Sequence, residues 1–212
     1  MPAYARPSGE GSAMENAVSA LGEELSPPLR LAIAYAPRPA RAAWTALLVL
    51  DQRLRRAALG ASEPLLGQVR LAWWRDRFRT PASEWPEGEP LLAALAGFDG
   101  ERVALEALVD GWERMLGGEA DDAAIADLVE ARAQAMAALA RVLGCGSTDV
   151  VEAGRDWARA DFDRAPSLRA AHEHTTLLPR AMRPLAVLAG LGQGDHDLRG
   201  FLRIVRLGLF GR

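Results

Sequence analysis

The chain has 212 residues, of which half are apolar and a quarter charged, with one cysteine, Cys145, and a formal net charge of −3. A chain of this length buries about 70% of its unfolded surface, so its core needs neither disulfides nor a structural metal. One cysteine excludes a disulfide framework and a cysteine-based zinc site, and no apolar run approaches the roughly 20 residues of a membrane span. We therefore expect a cytoplasmic protein, with attachment to the surface of the inner membrane left open.

Apolar residues recur at helical spacing along almost the whole chain. Residues 1–13 are small residues, proline and glycine without an apolar signal region, and we predict a disordered tail there. Because no segment alternates as a strand does, residues 14–212 are predicted to form a single all-α domain, a layered helical bundle. Asp121 is expected to cap a helix. Helices are predicted over 15–24, 27–36, 40–59, 63–79, 101–116, 121–143, 147–164, 185–191 and 197–209, with a proline-containing loop over 80–90.

Charge is unevenly distributed within this near-neutral chain. All 25 basic residues are arginine, a bias typical of a GC-rich genome. Residues 30–79 contain ten arginines against three acids, a net charge of +7, whereas residues 84–130 contain thirteen acids against two arginines, a net charge of −11. The two segments therefore either face each other or present opposite fields. We expect no nucleic-acid partner, because interleaved aromatic residues and a recognised binding motif are missing.

Two segments carry motifs that point to a known family. A proline and an arginine four residues apart open a helix of the pattern Ala-Trp-x-Ala-Leu, and the next predicted helix ends in Trp-Trp-Arg-Asp. The residues are Pro37, Arg41, Ala43, Trp44, Ala46, Leu47, Trp73, Trp74, Arg75 and Asp76. These segments, together with residues 178–191, resemble the squalene/phytoene synthase family of head-to-head isoprenoid synthases. The resemblance implies an isoprenoid-synthase-like all-α bundle, here shortened.

The family's metal site is altered in this chain. Members of the family bind Mg²⁺ through two aspartate-rich motifs on facing helices, and the ion draws diphosphate off the substrate. Counted from Arg41, the positions of the first motif, DDxxD, fall on Arg55, Arg56 and Leu59. Mg²⁺ prefers oxygen ligands, and an arginine close to the ion is repelled by it. We therefore expect no metal ligand and no cofactor, with Mg²⁺ required only if the chain is an enzyme.

The second aspartate motif is altered as well. On an ungapped count from Gly154, its asparagine position falls on Asp161, its arginine is retained as Arg164 and its metal-binding aspartate becomes Ala165. A shifted register could recruit Asp161 or Asp163 as a ligand. Since neither motif is complete, we assign no catalytic residue.

Some residues remain candidates for binding a ligand. Arginine can bind phosphate oxygens without a metal, and the candidates for this role are Arg41, Arg55, Arg56 and Arg164. Trp44, Trp73 and Trp74 are candidates for lining an apolar cavity, although tryptophans at helical spacing more often belong to the core.

The C-terminal segment 197–212 has the pattern of a basic amphipathic helix. Arg199, Arg203 and Arg206 share one face, beside apolar residues that include Phe201. Such a helix either closes the bundle with its apolar face or makes peripheral contact with an anionic membrane.

One branch of the resembling family lacks the same motifs. The squalene/phytoene synthase-type assembly factors of respiratory complex I keep the bundle and the tryptophan helix without intact aspartate motifs. The resemblance to them implies a non-catalytic pseudoenzyme that acts by binding a protein partner, a respiratory-complex subunit. Two alternatives stay open: an isoprenoid transferase that condenses prenyl diphosphates, and a metal-free module that binds a prenyl or lipid phosphate.

Overall fold

The computed structural model describes residues 8–61, 63–117, 120–146, 148–162 and 178–191. Within these ranges the chain is all-α and contains no strand, which confirms the predicted fold class. The α-helices are α1 (Ser8–Glu23), α2 (Pro27–Ala34), α3 (Arg38–Leu59), α4 (Pro64–Phe78), α5 (Pro90–Leu95), α6 (Arg102–Glu113), α7 (Asp122–Val142), α8 (Thr148–Ala160) and α9 (Arg183–Leu191). Short 3₁₀ helices cover Ala82–Glu84, Ala96–Glu101 and Arg180–Met182.

Five predicted helices, those that correspond to α2, α3, α4, α7 and α9, lie within two residues of their observed bounds. Helix α6 ends at Glu113 and α8 at Ala160, three and four residues before their predicted ends, and further differences occur at α1 and α5. Helix α1 begins at Ser8, inside the segment 1–13 for which we predict a tail. Helix α5 begins at Pro90, at the end of the predicted loop, because proline is well tolerated in a first helical turn. The helix predicted over 197–209 lies outside the described residues. Among the described helices, none combines the length and the apolar content that crossing a bilayer requires.

Helix α3 lies at the centre of the bundle. It contacts α1, α2, α4, α5, α6 and α7, and every residue from Trp44 to Asp51 is buried. A helix that is apolar on all sides is stable only when it is surrounded by other helices. The sequence VLD at the end of this buried stretch therefore places a carboxylate inside the core.

Helix α7 packs closely against its neighbours because its buried residues are small. A Cβ atom on Gly111 of α6 would lie 3.1 Å from the Cβ of Ala131, and one on Gly154 of α8 would lie 3.0 Å from the Cα of Ala133. The alanine-rich sequence of α7 thus permits two close helix crossings.

Helix α7 is capped by the residue before it. The Asp121 carboxylate accepts a hydrogen bond of 2.7 Å from the Ala124 amide, which confirms its predicted role as a cap.

Ion pairs connect the basic segment to the acidic segment. Arg75 of α4 is paired with Asp110 and Glu113 of α6. Arg79 donates to Glu106 at 2.7 Å, and Arg53 of α3 donates to Glu89 at 2.9 Å. Of the two arrangements that the sequence left open, the segments therefore face each other.

Glu24 joins the end of α1 to α3 and makes stability depend on pH. Its carboxylate accepts hydrogen bonds from Arg53 at 2.6 Å and from Arg56 at 2.9 Å. The bond from Arg53 is the main cause that holds the pKa of Glu24 below its ordinary value, against the opposing effect of partial burial, and Arg56 adds to it. A carboxylate whose pKa is lowered by folding stabilises the protein fully above its unfolded-state pKa of about 4.3 and loses that contribution as the pH falls through the folded-state pKa.

We expect Glu24→Gln to reduce the loss of stability between about pH 5 and pH 3, because the substituted side chain does not titrate. Urea unfolding of the wild type and the variant across this range measures the effect. Glu23→Gln, at the neighbouring exposed position, is the matched control and should follow the wild-type curve. Parallel curves for the wild type and Glu24→Gln would contradict the assignment.

Candidate functional site

A buried network of charged groups connects α3, α6, α7 and α8. Arg132 of α7 donates to Asp51 Oδ2 of α3 at 2.9 Å and to Asp161 Oδ2, just after α8, at 2.8 Å. The second oxygen of Asp51 accepts a hydrogen bond of 2.9 Å from Trp112 Nε1 of α6. Asp51 and Arg132 are only 2% and 1% exposed. The charges are therefore neutralised inside the core and not by solvent.

The Arg132 guanidinium is held by aromatic rings as well as by carboxylates. It lies 3.9 Å from the ring centroid of Trp157 and 5.7 Å from that of Trp112. Burial lowers the pKa of Arg132, but the charges of Asp51 and Asp161 outweigh this effect, so that its pKa is raised overall. The Nε atom of Arg132 is buried without a hydrogen-bond acceptor. The site thus contains a permanently charged cation fixed between two acids and two indole rings.

The sequence contained a signal for this network that we did not use. Asp51 is four residues after Leu47 and three before Leu54, so it lies within the apolar row of α3. Arg132 is four residues after Leu128 and four before Met136, so it likewise lies within an apolar row of α7. A single charge within an apolar row, matched by one opposite charge in the row of another helix, predicts a buried ion pair. Asp51 enters the sequence prediction only through the net charge of residues 30–79, and Arg132 only as one of the 25 arginines.

The structure brings together one residue from each altered motif. Arg55 of α3 donates to Asp161 Oδ2 at 3.3 Å, and the same oxygen accepts the bond from Arg132. The side chains of Arg55 and Asp161 are 41% and 32% exposed, so this end of the network reaches the surface. Two guanidinium groups therefore converge on one carboxylate oxygen.

The other phosphate-binding candidates do not join Arg55. Arg56 is paired with Glu24. Arg41 donates to the carbonyl oxygens of Ala36 and Ala34, both at 3.0 Å, near the end of α2. It is fourteen residues before Arg55 on the same helix, which corresponds to about 21 Å along the axis. Arg164 lies outside the described residues.

The three candidate tryptophans occupy separate environments. Trp44 is fully buried, and its Nε1 donates to the Ala181 carbonyl at 2.8 Å. Trp74 is buried and stacks on Phe78 with ring centroids 5.9 Å apart. Trp73 is 39% exposed on the outer side of α4. The first two are core residues, and the third lies on the surface.

The described ranges contain no group of three or more His, Cys, Asp or Glu side chains that could hold a metal ion. Asp161, the acid that contacts Arg55 of the altered first motif, has Arg55 and Arg132 as its partners. An open pocket lies among α1, α2 and α3 and includes Arg30 and Thr45, but none of the candidate residues.

Comparison with known proteins adds no relative. No family model, no curated protein and no solved structure matches the chain. Membership of the squalene/phytoene synthase family therefore stays a prediction from the sequence motifs.

Proposed function

We propose that the chain is a non-catalytic helical bundle that acts by binding a protein partner, a subunit of a respiratory complex. The observation that supports the non-catalytic part is the contact between Arg55 and Asp161. Under the resemblance these residues belong to the two motifs whose acids would share Mg²⁺. Here one acid position of the first motif holds an arginine, which pairs directly with Asp161 at the asparagine position of the second motif and takes the place of the cation.

The buried network provides a second line of support. Asp161 also accepts a hydrogen bond from Arg132, which is itself fixed by Asp51. Two guanidinium groups beside one carboxylate repel a divalent cation, since like charges 4 Å apart cost about 4 kcal/mol at an effective dielectric constant of 20. The arrangement favours a rigid structural role for the region over metal-assisted release of diphosphate.

The partner is inferred from the resemblance to complex I assembly factors. A protein with this role binds a subunit at the surface of the inner membrane. The same inference makes prenyl diphosphates neither substrates nor ligands, because Arg55 and Arg56 are already paired with Asp161 and Glu24.

Capture experiments with the full-length tagged chain test this proposal. We expect complex I subunits to be retained from a membrane extract of the source cells and to be absent with an unrelated all-α protein of similar size. The purified chain is expected to release no diphosphate from farnesyl or geranylgeranyl diphosphate in the presence of Mg²⁺, and its melting temperature should not rise with either compound in EDTA.

Each alternative function predicts a result that would contradict our proposal. Magnesium-dependent release of diphosphate would identify an isoprenoid transferase. Thermal stabilisation in EDTA that Arg55→Ala with Arg56→Ala abolishes would identify a phosphate-binding module. If the capture experiment retains no respiratory subunit, the proposed partner is rejected.

A further inference from the structure

Helix α4 is apolar on two opposite sides, and one of them is left uncovered by the part of the chain that the structure describes. Leu71, Trp74 and Phe78 pack into the core. The opposite side exposes four large apolar side chains, which we call the α4 seam. They are Leu65, Leu66, Val69 and Trp73, with exposed fractions of 65, 47, 61 and 39%.

The α4 seam has the spacing of a surface that pairs with another helix. Leu66, Val69 and Trp73 follow one another at intervals of three and four residues, which is the alternation of the two apolar positions in a heptad repeat. Rows of this kind are buried when an amphipathic helix packs along them. An apolar row on an exposed helix therefore indicates a binding surface for a helix.

Two arginines lie along one edge of the α4 seam. Arg70 and Arg77 are seven residues apart, which is two helical turns or about 10 Å. Neither forms an ion pair with a described residue, whereas Arg75 and Arg79 are paired with acids of α6. Arg77 lies 5.8 Å from the ring centroid of Trp73, and its Nε is buried without an acceptor. This edge thus carries positive charge that no ion pair among the described residues neutralises.

We propose that the α4 seam binds an amphipathic helix of a partner protein, one with an apolar row and acidic residues along its edge. The inference rests on the proposed function, in which the chain binds a protein, and it states the chemistry of that protein. The apolar row of the partner covers Val69 and its neighbours, while its carboxylates pair with Arg70 and Arg77. Flanking charges of this kind determine which helices pair and in which orientation.

A second copy of this chain does not fit the charged edge. In an antiparallel pair of α4 helices centred on Val69, Arg70 of each copy lies beside Arg70 of the other. In a parallel pair the positions opposite Arg70 and Arg77 are Leu65 and Ala72. Neither arrangement supplies a carboxylate to the arginines, so charge complementarity favours a different protein.

A lipid bilayer fits the α4 seam less well than a protein does. The next heptad position after Trp73 is Asp76, which is exposed. Insertion of the row into a membrane would carry this carboxylate towards the acyl chains, where ionised side chains are costly. A partner helix avoids this cost because Asp76 can remain in water at the end of the row.

The test uses the full chain and two labelled three-heptad peptides with leucine at the apolar positions. One peptide carries glutamate at the flanking positions and the other carries lysine, and fluorescence anisotropy measures binding. We expect the glutamate peptide to bind the wild type, and Val69→Asp to weaken binding at least about tenfold. Arg70→Glu with Arg77→Glu should reverse the preference in favour of the lysine peptide. Arg38→Glu, at an exposed arginine that begins α3, is the matched control and should bind as the wild type does.

Several outcomes would overturn the inference. These are equal binding of the two peptides by the wild type, retention of binding by Val69→Asp with an unchanged circular dichroism spectrum, and a dimer in sedimentation that Val69→Asp dissociates. Binding to vesicles of phosphatidylcholine and phosphatidylglycerol that the same variant loses would also do so. Capture of respiratory subunits equally by wild type and Val69→Asp would leave the proposed function intact and reject the α4 seam. Selective peptide binding without captured subunits would support the α4 seam and reject the respiratory partner.

Discussion

Replacing Arg132 with methionine should lower the free energy of unfolding by about 3–5 kcal/mol, because it leaves a buried carboxylate without its partner. Asp51 is 2% exposed, and after the substitution the Trp112 indole would be its one side-chain donor among the described residues. The side chain of Trp157 would also lose the guanidinium that lies over its ring. Urea unfolding followed by circular dichroism measures the change.

Two further variants separate the effect of the unpaired buried charge on stability from the effect of lost packing. Asp51→Asn combined with Arg132→Met removes both charges and keeps an acceptor for Trp112, so it should recover at least about 1 kcal/mol relative to Arg132→Met alone. Arg141→Met removes a cation from the same helix that pairs with Glu101 at the surface, and such pairs contribute less than about 1 kcal/mol. Equal effects of Arg132→Met and Arg141→Met would show that the network does not stabilise the fold.

Gly67→Ala should destabilise the protein by about 1–3 kcal/mol through overpacking. A Cβ atom at this position would lie 2.4 Å from the Ala57 carbonyl oxygen of α3 and 2.8 Å from Leu116 Cδ2. The backbone of α3 cannot move aside without disturbing the centre of the bundle, so α4 must shift outwards. This expected loss of stability is opposite in sign to the gain of about 1 kcal/mol that replacing glycine with alanine usually brings in a helix interior.

The matched control for this prediction is Gly22→Ala in α1. There the nearest atom to an added Cβ is Thr45 Cγ2 at 4.0 Å, an ordinary contact distance. Its free energy of unfolding, measured with urea, should be unchanged or slightly raised. If Gly67→Ala changed the free energy of unfolding as little as Gly22→Ala does, the close contact between α3 and α4 at Gly67 would be contradicted.

The helices were predictable where the apolar row was long and its ends were marked by local residues. Asp121 indicated the start of the region that contains α7, and its side chain caps that helix. Helix α5 was missed because its six residues are too few to show a period beside the prolines of the loop. Local spacing of apolar residues therefore predicts long helices well and short helices poorly.

The candidate site was predicted less completely. Motif counting led to Arg55 and Asp161 separately, but it gave no reason for them to meet. Asp51 and Arg132 are 81 positions apart, and a buried pair at this separation depends on how two helices pack. The sequence shows only that each residue interrupts an apolar row.

The sequence by itself determined that the chain is all-α and that two of its segments carry opposite net charge, because helical periodicity and net charge are properties of contiguous residues. Only the tertiary structure decided which charges are buried together and which arginines form no ion pair within the described ranges. Burial removes water as the alternative partner, so a charge in the core must find its counterion on another helix. Arg132 is paired with two acids there, whereas Arg70 and Arg77 lie at the edge of an apolar row that no described segment covers.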